Sequence, residues 1–503
     1  MKKRGWSWNW VHSGLVAFLL LAGLAVRLYD LEDPPLDFHP TRQLHSLIMA
    51  RGMYYQHAAN VPEWQRERAV QQWRAEGVIE PPVLERLVAF IYQLAGREIP
   101  WAARVLSSLF WLMGGIGLYG LCRQFFSASA SLVGLGFFVV LPYGVFASRA
   151  FQPDPWMTAL IVWSWWGLTR WLSHPGWRRV WLAGLLGGSA LLVKGTALFW
   201  VATPLIGGIV ARGDIRRSLR DVQFWALGGL VVLPYGLYTL WGVWGSGVLQ
   251  DQFSLRFFPQ YWADPAFYLR WFNLLDAAIG LPWLGLGLLG AVFLPGGPGR
   301  GLGWGAWLGY LLLGLGLSHH ISTHDYYSLP LAPLLGLGLA ALAEIARSAL
   351  GGGRWKAFLA AGVLLGMAGM SLWQARTALK RADYRKEPAF WAELADRMGR
   401  DAGVVGITQD YGARLVYWGG ITPANWLTAA EFDLRRSAGQ SFDLQALFAE
   451  LTAGKQFFLV TMPEELDRQP ELKALLQERY PLFSQGPDYL IYDLRTPKPG
   501  GGE

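Results

Sequence analysis

Ionisable residues at the edges of long apolar stretches are the groups in this chain whose type and spacing could do chemistry. Asp37, His39 and Arg42 follow the first apolar run, and Glu80 precedes Pro81-Pro82. Arg149 and Asp154 sit after the third run, and Lys194 separates the fifth from the sixth. Asp251, Arg256, Asp264 and Arg270 follow the seventh, and His319, His320, His324 and Asp325 lie between the ninth and tenth. Charged groups beside a membrane are costly, so such a set invites a functional reading. Carboxylates mixed with cations suit a donor that carries a phosphate leaving group on a membrane lipid. The cations stabilise the departing phosphate, and one carboxylate takes a proton from the acceptor. Because the phosphate is already acidic, no protein acid is required, unlike the acid and base pair of glycoside hydrolysis.

The elements that must position these groups follow from composition. Hydrophobic residues make up 53% of the 503 residues and charged residues only 16%, against roughly 25% in a soluble domain. Those figures exclude a disordered chain, a disulfide scaffold and an ordinary soluble enzyme. The net charge of +8 would suggest nucleic acid in a soluble protein, but here the basic residues cluster between apolar runs, so no nucleic-acid partner is expected. The lone cysteine, Cys122, forms no intramolecular disulfide.

Reading runs of roughly 17–25 residues gives about eleven membrane spans. They are Val11–Tyr29, Trp101–Leu121, Ser129–Ala147, Pro155–Leu172, Val180–Val193, Thr196–Ala211, Val222–Trp244, Leu275–Leu294, Gly303–Ser318, Tyr327–Ala346 and Ala357–Trp373. Starting with Lys2, Lys3 and Arg4 inside, the inner loops collect fourteen basic residues, against four in the short outer loops. That bias puts the N-terminus inside and the C-terminal segment outside, and it places all the ionisable groups named above at the outer face. No small-residue cleavage site follows the first run, which reads as an uncleaved anchor. Gly184 with Gly188, and Gly362 with Gly366, are spaced for close helix contact.

Two segments do not belong in a membrane. The loop 30–100 carries mixed charge, and its Thr41–Tyr55 stretch has apolar residues near helical spacing. From about Lys380 to Arg495 the composition is that of a soluble protein. Val404–Thr408, Gln456–Thr461 and Leu490–Leu494 read as strands, and Pro388–Met398, Leu444–Thr452 and Pro470–Arg479 as helices, so a small α/β domain is expected. The division is a transmembrane domain over 1–379, including the outer loop, and an extracytoplasmic α/β domain over 380–503.

The segment "RLYDLEDPPLDFHPTRQLHSLIMARGMYY" resembles the start of the first outer loop in the protein O-mannosyltransferase and aminoarabinose transferase superfamily, glycosyltransferases of the GT-C fold. "EPPVLERLVAFIYQLAG" with "WAARVLSSLFWL", then "SRAFQPDPWMTAL", "LLVKGTALF" and "HDYYSLPLAPLLGLGLA", are similar to later blocks in the same order. The tail "GKQFFLVTMPEEL" and "YLIYDL" looks like the outer domain of some members. The resemblance implies an all-α polytopic membrane protein of GT-C type, of a bacterial subgroup, with its active site facing outward from the cytoplasmic membrane. It implies an inverting transferase that uses a polyprenyl-phosphate sugar. By match of motif, the catalytic carboxylates fall on Asp37 and Asp154, and phosphate contacts on Arg149 and Lys194, with Arg42 and His324 as further candidates. His39, Glu80, Arg256 and Tyr326 are other substrate-site candidates. Many members carry an Asp-Glu pair in the first loop, whereas Asp37 is followed by Phe38 and His39. No metal ligands are assigned, and a divalent cation stays open. The sugar is unspecified, and the acceptor is a glycan, a lipid head group or a protein hydroxyl.

Plainer roles compete for the same residues. Asp37 could cap the following helix and Asp154 the fourth span. Arg42, Arg149 and Lys194 could snorkel to lipid phosphates. His320 and His324 share a face, as a metal pair would, only if that segment is helical. A transporter or lipid flippase is the alternative function; against it, the charges gather at one face and no repeat is visible.

Overall fold

The computed structural model describes residues 10–498 except 60, 79, 214, 251–256, 351–353, 382 and 438. Its helices, in chain order, begin with α1 (Trp10–Arg27), α2 (Pro40–Tyr55), α3 (Glu63–Ala75), α4 (Val83–Ala95), α5 (Pro100–Cys122), α6 (Ala128–Val140), α7 (Pro142–Arg149) and α8 (Asp154–Ser173). They continue with α9 (Trp177–Val193), α10 (Ala197–Val210), α11 (Ile215–Arg220), α12 (Val222–Leu240), α13 (Pro265–Ala278), α14 (Leu281–Val292), α15 (Pro298–Gly316), α16 (Ser318–Ile321), α17 (Leu331–Leu350) and α18 (Arg354–Arg381). The rest are α19 (Glu387–Met398), α20 (Ala429–Ser437), α21 (Leu444–Thr452), α22 (Pro463–Asp467) and α23 (Pro470–Arg479).

Contacts divide the chain into two compact units. Unit 1 holds 1–31, 78–84 and 101–382; unit 2 holds 32–77, 85–100 and 383–503. Most of the 30–100 loop, counted with the membrane part in the sequence reading, therefore belongs with the C-terminal segment by contact.

Unit 1 is helical. Among the described residues five helices are long and apolar enough to cross a membrane, or up to seven if each of two bent pairs counts as one span. Two of the runs read as spans from the sequence cross a bend. Pro142 breaks Ser129–Ala147 into α6 and α7, bent by 59°, because proline supplies no N–H to continue the helical ladder. Leu275–Leu294 is the junction of α13 and α14, bent by 95° where Gly280 adopts φ +92 ahead of Pro282. The main helix pairs are α8 with α9, α9 with α12, α10 with α15, α6 with α17, and α14 with α17. One glycine pair works as its spacing suggests: a Cβ on Gly188 would stand 2.3 Å from the Leu230 carbonyl oxygen, so α9 and α12 meet backbone to backbone. The other does not, since Gly362 and Gly366 face open space on α18.

Unit 2 is built on a five-stranded sheet. Its strands are β1 (Val404–Ile407), β2 (Ala424–Asn425), β3 (Phe457–Val460), β4 (Leu482–Gly486) and β5 (Tyr489–Asp493), in the order β2-β1-β3-β5-β4. β1 runs parallel to β2 and β3, while β5 runs antiparallel to β3 and β4. β1 and β3 read as unbroken apolar runs because both faces are covered. Val405, Ile407, Phe458 and Val460 pack with Trp426, Phe448, Leu472 and Leu476 on one face. Val404, Phe457 and Leu459 pack with Trp391, Leu394 and Leu415 on the other.

Polar links, buried or half-buried, tie helices α2 to α4 into this unit. Ser46 donates to Glu85 at 2.8 Å, and Thr41 to Asp410 at 3.0 Å. The Tyr384 backbone N–H donates to Asp33 at 2.8 Å, and Arg51 Nε to Glu98 at 2.9 Å. The Arg51 guanidinium also lies 3.6 Å from the Tyr417 ring centroid. Burial alone would lower the Arg51 pKa, but the Glu98 carboxylate outweighs it and the net shift is upward.

Candidate functional site

Lys194 stands where α9 ends and the chain turns into α10. Its backbone is extended, and the next residue, Gly195, passes so near Tyr235 that a Cβ would come within 2.4 Å of the phenol oxygen. The turn aims the side chain inward. Lys194 Nζ lies 2.9 Å from both carboxylate oxygens of Asp154, and these residues are only 5% and 1% exposed. Asp154 is the first residue of α8, where a negative charge meets the positive end of the helix dipole. The N-cap of α8 is Pro153, with no side-chain cap bond, and the hydrogen bonds of the Asp154 carboxylate go to Lys194.

Two phenol rings lie near the ammonium. Lys194 Nζ is 4.4 Å from the Tyr326 ring centroid and 4.9 Å from that of Tyr327, within the range of cation–π attraction. These tyrosines lie in a 3-10 turn, Asp325–Ser328, whose Asp325 carbonyl accepts a 2.7 Å hydrogen bond from Tyr143. The His324 ring is 5.3 Å from Tyr326, and His320 is 5.8 Å from Tyr327. The two histidines face each other at 6.1 Å, but α16 ends at Ile321 and His324 is extended, so they are not successive turns of one helix. Among the described residues no group of three His, Cys, Asp or Glu side chains is placed to hold a metal ion. The arrangement is a buried ammonium, fixed by a carboxylate and by ring faces. The pair is neutral overall, and the ammonium, with three donors, stays oriented by its carboxylate toward whatever approaches it.

Arg149 ends α7 and is 1% exposed. Its Nη2 donates to the Asp30 carbonyl at 3.0 Å, and Arg104 Nη1 reaches the same oxygen at 3.4 Å. Glu80, also in unit 1, lies within electrostatic reach of the Tyr238 phenol. Arg256 and Asp251 lie outside the described residues.

Asp37, His39 and Arg42 belong to unit 2. Asp37 is half-buried between the buried side chains of Leu36 and Phe38. It does not cap α2: the N-cap is His39, in a left-handed conformation at φ 45. Gln43 Nε2 donates to the Phe38 carbonyl at 2.7 Å and stands 3.5 Å from Asp37 Oδ1. Burial, and then the Asp37 carboxylate, push the Tyr384 phenol above its ordinary pKa, so Tyr384 is a neighbour of Asp37. Arg42 is half-buried in the first turn of α2.

The structure therefore gathers Asp154, Lys194, His324 and Tyr326 in unit 1 and Asp37, His39 and Arg42 in unit 2. Three residues of unit 1 were missed as candidates. Tyr143 had no signal beyond being an aromatic in an apolar run. Arg104 and Arg27 did have one, each being an arginine within or closing a membrane-length run.

Residues 79–241 match the family model described as dolichyl-phosphate-mannose-protein mannosyltransferase. The ArnT protein of Cupriavidus metallidurans in the apo state aligns over 96% of this chain and 98% of its own, with TM-score 0.63 and 16% identity. The same protein bound to undecaprenyl phosphate gives a TM-score of 0.59 over the same spans, also at 16% identity. The archaeal oligosaccharyltransferase AglB of Archaeoglobus fulgidus, in complex with an inhibitory peptide and a dolichol-phosphate, covers 90% of this chain and 70% of its own. Its TM-score is 0.52 at 12% identity. No curated protein matches the sequence significantly. At these identities the solved structures speak for the fold alone, and the family match is confined to residues 79–241.

Proposed function

We propose that this chain is an inverting glycosyltransferase that moves a sugar from a polyprenyl-phosphate donor to a hydroxyl acceptor at the outer face of a bacterial cytoplasmic membrane. The observation that carries this reading is the Lys194 ammonium, held by Asp154 beneath Tyr326 and Tyr327. It stands on a fold shared with a protein solved with undecaprenyl phosphate bound. Lys194 and Arg149 neutralise the donor phosphate as the bond from the anomeric carbon to the phosphate oxygen breaks, and Asp154 holds Lys194 in place. The acceptor oxygen bonds to that carbon with inversion, and the first-loop motif implies Asp37 as the base that takes its proton. The products are an inverted glycoside and a free polyprenyl phosphate. Eleven spans with the N-terminus inside would put unit 2 outside, where an acceptor of the glycan, lipid or protein class can reach it.

Mass spectrometry of lipid that copurifies with the protein tests the donor class. A polyprenyl phosphate or its glycoside is the expected species, and phospholipid alone would count against it. Sharply bent spans are also a transporter feature, and the 59° and 95° bends favour a flippase as the second reading. Flipping of lipid-linked sugar in liposomes, without transfer, would select it.

A further inference from the structure

Arg27 closes α1 and is fully buried. Among the described residues its hydrogen bonds go to one hydroxyl and three carbonyls. Nη1 donates to Gly23 O and Val139 O, both at 2.9 Å. Nη2 donates to Gly144 O at 3.4 Å, and Nε to Ser148 Oγ at 2.7 Å. Val139 lies before the proline break and Gly144 beyond it, so one guanidinium spans the 59° bend between α6 and α7. Ser148 is in the last turn of α7, next to Arg149. A planar fork holding both sides of a break and the far end of an eight-residue helix fixes the helix's tilt and its rotation together.

The bend has a second brace of a different kind. Pro142 has no N–H for the Phe138 carbonyl, and Trp111 Nε1 supplies one at 3.3 Å while its ring stacks on Phe138 at 4.1 Å. Trp111 donates before the break and, among the described residues, makes no hydrogen bond to α7, although its ring lies against Gly144. Both side chains support the bend, and of the two Arg27 is the one hydrogen-bonded to the residue beside Arg149.

We infer that Arg27 is a positioning residue: through Ser148 it sets the place of the Arg149 guanidinium, and so the grip on an anionic lipid phosphate. This rests on the donor reading above. A structural brace alone would not need its shortest hydrogen bond at the residue beside Arg149. Nor would it need a guanidinium, since Trp111 serves a carbonyl at the same bend without charge.

The test is equilibrium binding of undecaprenyl phosphate to the full chain in detergent, with no turnover required. Arg27→Lys, which keeps the charge but not the fork, and the milder Ser148→Ala should each weaken binding about fivefold or more. Trp111→Phe should lower thermal stability and leave binding unchanged. In an Arg149→Gln background, Arg27→Lys should have no further effect, because its action passes through Arg149. Unchanged binding in folded Arg27→Lys and Ser148→Ala overturns the inference, as does equal weakening by Trp111→Phe or full additivity with Arg149→Gln. If the unaltered chain does not bind undecaprenyl phosphate, the donor reading fails first and this role fails with it.

Discussion

Lys194 and Asp154 form a buried ion pair in which one ammonium sits 2.9 Å from both oxygens of one carboxylate. Forty residues separate them in sequence, yet each lies at the end of a helix that pairs with the other's, α9 and α8. Removing one partner strands the other charge in a low dielectric, at a cost of about 3–5 kcal/mol. Lys194→Met and Asp154→Asn should therefore each lower the thermal unfolding temperature in detergent. Lys194→Met combined with Asp154→Leu should recover most of the loss. Singles that cost nothing, or a double that costs their sum, would show that the pair is not coupled.

The two small-residue pairs should behave oppositely. At Gly188 an added methyl meets the backbone oxygen of Leu230, which cannot swing aside, so Gly188→Ala should destabilise by about 1–3 kcal/mol. Gly362 has open space around it, so Gly362→Ala should be neutral or stabilise by up to about 1 kcal/mol through helix propensity. Detergent unfolding of the two variants makes the comparison. Equal effects would remove the α9–α12 close approach as the explanation.

Arg51 should matter to unit 2 more than a surface ion pair would. Its side chain and that of Glu98 are 18% and 17% exposed, and the guanidinium also covers Tyr417. Arg51→Met should cost about 2–3 kcal/mol, less than a fully buried pair because water still reaches the site. Glu98→Gln, which keeps an acceptor, should cost less. Limited proteolysis of the full chain reads this as faster cleavage within 383–503. Cleavage rates unchanged in Arg51→Met would deny the cluster that role.

Much of the fold was legible because periodicity and burial agree. The strands at Val404, Gln456 and Leu490 were found within a residue or so at each end, since each is an apolar run covered on both faces or beside one that is. β4 was missed because Leu482 and Phe483 are exposed at an edge and the strand closes in Ser-Gln-Gly. The bends at Pro142 and Gly280 were missed because hydropathy averages over a break. The site was legible in part. Lys194 and Asp154 stood out as charges interrupting or opening apolar runs, but nothing in their spacing says that they pair, since that depends on how α8 packs on α9. Arg27 was passed over for a related reason. As the basic end of a first span it looks like a flanking charge, and only the packing of α1 against α6 and α7 buries it.

Transfer itself is the most direct measurement. The purified chain is incubated with a polyprenyl-phosphate sugar and a hydroxyl acceptor, and product is followed by mass spectrometry with its anomeric configuration read by NMR. Expected are free polyprenyl phosphate and a glycoside of inverted configuration, with both abolished in an Asp37→Asn variant that still inserts and folds. Donor left unconsumed across the sugars tried, a retained configuration, or full activity in Asp37→Asn would contradict the proposed reaction.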